Sequence, residues 1–128
     1  SSPTAVAAKK QQTYEEWLRS LDGARFVGPS NAGSDVRWEN ELIVRGSTLT
    51  WRQRVTYYGP QVVREVPLGQ WYDLTPHGGR MQIVGRQAKR KLPGLDIVND
   101  IFTISEDGKS ITQVEQYSNG GTFTFYRQ

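Results

Sequence analysis

From Arg25 to its last residue the chain runs in short stretches of alternating apolar and polar residues, cut at brief intervals by Gly, Pro, Asn and Asp. No helical period lies between the cuts, so parallel βαβ units are excluded and the short connections leave antiparallel hairpins. Strands are predicted over 24–28, 35–44, 49–58, 61–66, 70–74, 80–86, 96–105, 110–117 and 122–127. The turn signals between them are Gly28-Pro29-Ser30-Asn31, Arg45-Gly46-Ser47, Gly59-Pro60, Pro67-Leu68-Gly69, Pro76-His77-Gly78-Gly79, Leu92-Pro93-Gly94, Asp107-Gly108 and Asn119-Gly120. Sequential antiparallel strands in this number close into a barrel or fold into a sandwich.

Ahead of the strands stands one helix signal. Thr13-Tyr14-Glu15-Glu16 reads as a capping box, and Tyr14, Trp17, Leu18 and Leu21 follow on one face. Gly23 is expected to close this helix, predicted over 13–22. A helix so short is marginal alone, so its apolar stripe must dock on the sheet. Residues 1–12 read as a disordered polar tail, leaving 13–128 as a single domain. Two readings of the small residues from Ser1 to Ala8 stand: a mature end left by signal-peptide removal, hence periplasm or secretion, or an arbitrary boundary, which leaves the cytoplasm open.

Composition removes several chemistries. Hydrophobic residues make up 36% of the 128 and aromatics 11%, too many for a disordered chain. There is no cysteine and one histidine, which excludes disulfide scaffolds, thiolate catalysis and multi-histidine metal sites. No apolar run reaches the ~18–20 residues of a membrane span. The net charge of +3 is mild and mostly dispersed, apart from the run Arg86-Gln87-Ala88-Lys89-Arg90-Lys91. This run sits where a strand is expected to pass into a loop, and a solvated loop or contact with phosphates, anionic lipid or an acidic partner would each account for it. Without aromatics interleaved among the cations, nucleic acid is not an expected partner.

The hairpin registers can be set from the pattern. Placing Val44 opposite Leu49 puts Leu42 against Trp51, Asn40 against Gln53, Trp38 against Val55 and Val36 against Tyr57. Slipping one residue would turn every side chain over, so the coincidence of two apolar faces is a real constraint. Asn40 and Gln53 are the only polar members of that face: a self-satisfied amide pair, or a polar anchor in an apolar cavity. Arg52 and Arg54 fall on the other face and point outward. A tight turn at Asp107-Gly108 pairs Ile104 with Ile111, Phe102 with Gln113 and Asp100 with Glu115. A turn at Asn119-Gly120 pairs Tyr117 with Thr122, Glu115 with Thr124 and Val114 with Phe125. Neither face of this sheet is polar throughout, so both are expected to be covered, by core or cavity within and by the helix or a second copy in a homodimer without.

The short helix leading into Leu21-Asp22-Gly23-Ala24-Arg25-Phe26-Val27-Gly28, the consecutive hairpins and the closing strand Thr122-Phe123-Thr124-Phe125-Tyr126-Arg127 resemble the calycin group, the lipocalin-like and fatty-acid-binding-like barrels. The resemblance covers about residues 14–128. It implies an up-and-down barrel that binds a small hydrophobic molecule inside. Lipocalins often carry Gly-x-Trp on the first strand; here Arg25 follows Gly23-Ala24, and Arg127 stands where their late arginine does.

Catalysis has few candidates. Gly-x-Ser-x-Gly and phosphate-loop motifs are missing, and His77 reads as a turn residue. Asp96, Asp100, Glu106 and Asp107 are not spaced as a calcium loop, and no cofactor is expected. Asp100 and Glu115, paired across a ladder, would have Cβ atoms about 4.5–5.5 Å apart. If buried, such a pair shares a proton and suits acid–base work such as isomerisation or cyclisation; if solvated, it does nothing of the kind. The expectation is therefore an all-β protein, an antiparallel up-and-down barrel with one short N-terminal helix. It binds a small hydrophobic or aromatic molecule through Trp38, Asn40, Leu42, Trp51, Gln53, Val55 and Tyr57. The alternatives are a cofactor-independent barrel enzyme using Asp100 and Glu115, and a secreted interaction or inhibitor protein using Trp71, Tyr72 and the Arg86–Lys91 run.

Overall fold

A computed structural model describes residues 12–33, 35–74, 80–92, 94–117 and 120–128. The predicted tail lies outside them except for Gln12, as do His77 and, in the turn expected at Asn119-Gly120, Ser118 and Asn119. No helix among the described residues is long and apolar enough to cross a membrane.

Helix α1 spans Tyr14–Ser20, and ten strands follow among the described residues: β1 Arg25–Val27, β2 Asn31–Ala32, β3 Val36–Arg45, β4 Thr48–Tyr58, β5 Trp71–Asp73, β6 Arg80–Val84, β7 Gln87–Lys91, β8 Val98–Ile104, β9 Ser110–Glu115 and β10 Thr122–Arg127. Every adjacent pair is antiparallel. Because β3 pairs with both β1 and β4, and β10 returns to β1, the strands β1, β3, β4, β6, β7, β8, β9 and β10 form a closed ring. Closure removes the free edges that an open sheet leaves to solvent. The remaining two strands extend existing wall positions. β2 continues the line of β1 along β3, after a break at Gly28-Pro29-Ser30. β5 and β6 share one edge of β4, at Arg52–Arg54 and Thr48–Thr50 respectively.

The turns at Gly46-Ser47, Gly85-Arg86 and 105–109 lie at one end of the barrel, and α1 closes that end. Thr13 Oγ1 accepts from the Glu16 N–H at 3.1 Å, capping the helix. The helix stops at Ser20, earlier than the pattern suggests, because the Gly23 N–H leaves it and donates to the Val44 carbonyl at 2.8 Å. Its stripe docks as required. The Trp17 indole donates to the Glu106 carbonyl and the Tyr14 hydroxyl to the Gly85 carbonyl, each at 2.8 Å. Arg127 lies across the same end and donates to the Ser20 carbonyl at 3.4 Å, and the Leu21 side chain packs close to Gly108 nearby.

Beneath α1 the barrel is solid. Leu21, Phe26, Leu42, Val44, Leu49, Met81, Ile83, Ala88, Phe102, Ile104, Ile111 and Phe125 form one buried cluster. Full burial of each large side chain contributes about 1.5–3 kcal/mol. The rings of Trp51, Phe102 and Phe125 stack edge to face, with centroids 5.5 and 6.3 Å apart. Each such contact adds about 0.5–1.5 kcal/mol beyond the area it covers.

The expected registers hold from Val44↔Leu49 to Trp38↔Val55, and from Ile104↔Ile111 to Asp100↔Glu115. Three expectations are corrected. Residues 61–66 form no strand, because both edges of β4 are already occupied by β3 and by β5 with β6. The basic run forms strand β7 and the turn before it. Strand β10 is slipped by an odd number of residues, with Thr122 opposite Val114 instead of Tyr117, so Phe125 points into the core and Tyr126 outward.

Candidate functional site

The end opposite α1 is not filled. A pocket of about 370 Å³ opens there, lined by Trp38, Asn40, Trp51, Gln53, Gln113, Glu115, Phe123 and Phe125 from the wall and by Pro29, Ser30 and Leu74 from the rim. A second lobe of about 320 Å³ shares Trp38 and Gln53 with it and reaches Val36, Val55, Tyr58 and Tyr72, and Val62, Val63, Glu65 and Val66 of the long loop after β4. Both volumes lie near the lower bound for small-molecule sites, ~300–1,000 Å³.

Asn40 and Gln53 face each other on the two longest strands and anchor a hydrogen-bonded chain. Tyr72 Oη donates to Gln53 Oε1 at 2.6 Å. Gln53 Nε2 and Trp51 Nε1 both donate to Asn40 Oδ1, at 3.1 and 3.2 Å, and Asn40 Nδ2 donates to the Pro29 carbonyl at 3.2 Å. The amide pair is thus satisfied and also lines a pocket, so the two readings of it combine. Each amide nitrogen carries two hydrogens and spends one on these bonds, which leaves a donor on each for a guest's oxygen. Burial is the first cause that raises the Tyr72 pKa above its ordinary value, followed by the charges of Tyr58 and Glu65, so the phenol stays a donor.

Not every expected residue lies here. Trp38, Asn40, Trp51 and Gln53 line the main pocket; Val55 lines only the second lobe, and Leu42 is wholly buried in the core. Tyr57 is turned outward, 38% exposed. A bulge between Arg37 and Trp38 places Arg37 opposite Tyr57 and Val36 opposite Tyr58, so Tyr58 takes the inward position. The Arg37 guanidinium covers the Tyr57 ring at 5.0 Å. Phe123, Gln113 and the rim residues were not legible as lining, because the strand that brings Phe123 there was expected in another register.

Asp100 and Glu115 do stand opposite each other. Asp100 is 1% exposed and accepts from Arg90 Nη1 at 2.8 Å, Asn99 Nδ2 at 3.0 Å and Gln113 Nε2 at 2.9 Å. The Asp100 carboxylate is thus occupied by a guanidinium and two amide donors, none of them from Glu115. Glu115 is partly buried on the pocket wall, and its carboxylate has no hydrogen bond or ion pair among the described residues.

Two further cations of the basic run, Arg86 and Lys91, are paired outside the pocket. Arg86 donates to the Ile104 carbonyl at 2.9 Å and pairs with Glu106 at 3.9 Å; Lys91 holds Asp96 at 2.5 Å, keeping that carboxyl below its usual range. On the outer wall Arg52 and Arg54 point away from the pocket, as expected. Glu41 is buried between Arg25 and Arg52, Arg54 pairs with Glu39 at 2.7 Å, and Trp71 lies among the guanidiniums of Arg25, Arg52 and Arg54 at 5.9, 6.0 and 4.7 Å. Trp71 is half-buried among these guanidiniums, and Tyr72 is turned inward onto Gln53. Among the described residues no three His, Asp or Glu side chains converge to hold a metal ion. What the geometry provides is an aromatic cavity with amide donors and one uncompensated carboxylate. Comparison of the chain with family profiles, with curated proteins and with solved structures finds no significant match.

Proposed function

We propose that this barrel binds a small molecule with an apolar or aromatic body in its open end. The reading rests on one observation: the interior is packed solid beneath α1 and open between Trp38, Trp51 and Phe123, where satisfied amides retain spare donors. Cavities of this kind bury a guest's apolar surface and orient it by a few polar groups. The closed eight-stranded ring is the architecture that the calycin resemblance implies, and binding inside such a ring accords with it. Acid–base catalysis draws less support, since Asp100 is committed to Arg90.

The test is a titration with N-phenyl-1-naphthylamine, an uncharged dye that brightens in apolar surroundings. Its fluorescence is expected to rise saturably with the native chain. Phe123→Ala, which removes a partly exposed ring, is expected to weaken binding about 3- to 10-fold, the loss of one aromatic contact. Absence of saturable binding would remove the reading.

A further inference from the structure

We infer that the guest carries a positive charge, a protonated amine or another small organic cation, with Glu115 as its counter-ion. This inference rests on the reading of the open end as a binding pocket and narrows the chemistry of what enters it.

Charge around the two lobes is one-sided. Glu115 lines the first and Glu65 the second, and among the described residues no Lys, Arg or His lines either. The chain as a whole has the opposite balance, with 16 Lys and Arg against 13 Asp and Glu. An acidic lining inside a basic protein is therefore local. Glu65 stands near enough to the Tyr72 hydroxyl for its charge to act on that group.

The two buried carboxylates among the described residues are matched. Asp100 has Arg90, and Glu41 has Arg25 and Arg52. The Arg90 guanidinium lies 5.6 Å from the Trp51 ring centroid and forms its ion pair with Asp100, and no ion pair to Glu115 forms among the described residues. The half-buried Glu115 carboxylate lies on the pocket wall, where an uncharged guest that displaced its water would leave it without a partner, at a cost. A cationic guest supplies that partner, and the faces of Trp38, Trp51 and Phe123 around it attract cations in their own right. An anionic guest, such as a free carboxylic acid, would meet negative charge with no cation to offset it.

The test uses three molecules with one ring system: 1-naphthylmethylamine, 1-naphthalenemethanol and 1-naphthaleneacetate, each displacing N-phenyl-1-naphthylamine from the full chain at neutral pH. The amine is expected to bind at least about tenfold more tightly than the alcohol, and the acetate more weakly than either. Glu115→Gln is expected to abolish the amine's advantage and Glu115→Asp to retain it, with thermal unfolding confirming that both variants fold. Equal binding of amine and alcohol, or an advantage that survives Glu115→Gln, overturns the cationic guest while dye binding upholds the pocket. Failure of the dye and of all three competitors overturns both.

Discussion

Arg90 shows how a single side chain decides what the sequence discloses. Ala88 and Arg90 are the inward positions of β7, and an arginine at a core position erases the apolar alternation by which a strand is recognised. Its partner Asp100 lies on the neighbouring strand, so neither residue makes sense without the other. The same pairing explains why the Asp100–Glu115 register was legible but its chemistry was not: the third group was concealed in a charge run. Arg90→Met is expected to cost about 3–5 kcal/mol by urea denaturation, since it strands a buried carboxylate. The double variant Arg90→Met, Asp100→Leu should recover most of that loss, because an apolar pair of suitable volume often matches a buried ion pair. Tyr72 carries a pH signature. Its folded pKa lies above the ordinary 10.0, so its contribution to stability is complete below pH 10.0 and is lost as pH rises through the folded value. Thermal unfolding of Tyr72→Phe against the native chain should show a shallower alkaline decline for the variant.

Among the elements, the long hairpin of β3 and β4 was the most legible. Its two-residue turn at Gly46-Ser47, with Gly46 at φ 60°, fixes the phase, and eight inter-strand positions then follow, from Arg45↔Thr48 to Trp38↔Val55. The bulge near Trp38 was beyond reach, since nothing in the local alternation marks where one strand gains a residue, and this is why Tyr57 was misplaced. Residues 61–66 had the β-branched content of a strand, but a strand also needs a vacant edge, and vacancy is a property of the closed ring. The break between β1 and β2 has a steric cause that the sequence shows only as a glycine. A Cβ on Gly28 would collide with the ring of Phe125, which is itself buried in the core. Gly28→Ala is expected to lower stability by about 1–3 kcal/mol, the usual penalty for overpacking. Calorimetric unfolding would measure it, and an unchanged midpoint would show that the ring has room to move.

At the level of the molecule the two ends have divided their tasks. The helix end holds the tight turns and the apolar cluster; the other holds the interrupted walls, the longer loops and the pocket. Amide hydrogen exchange should follow that division. Leu42–Val44 and Phe102–Ile104, deep in continuous ladders, are expected to open only with global unfolding, and β2 and β5, short strands beside breaks, at much lower cost. Uniform protection across both ends would contradict this. The interruption at Gly28-Pro29-Ser30 places part of the pocket's rim where its contour can be altered without breaking a ladder, while Asn40 and Gln53 stay fixed on the long strands β3 and β4. Descendants of such a chain are free to lengthen or shorten the rim and so exchange one guest for another, and the scaffold that keeps them folded need not change.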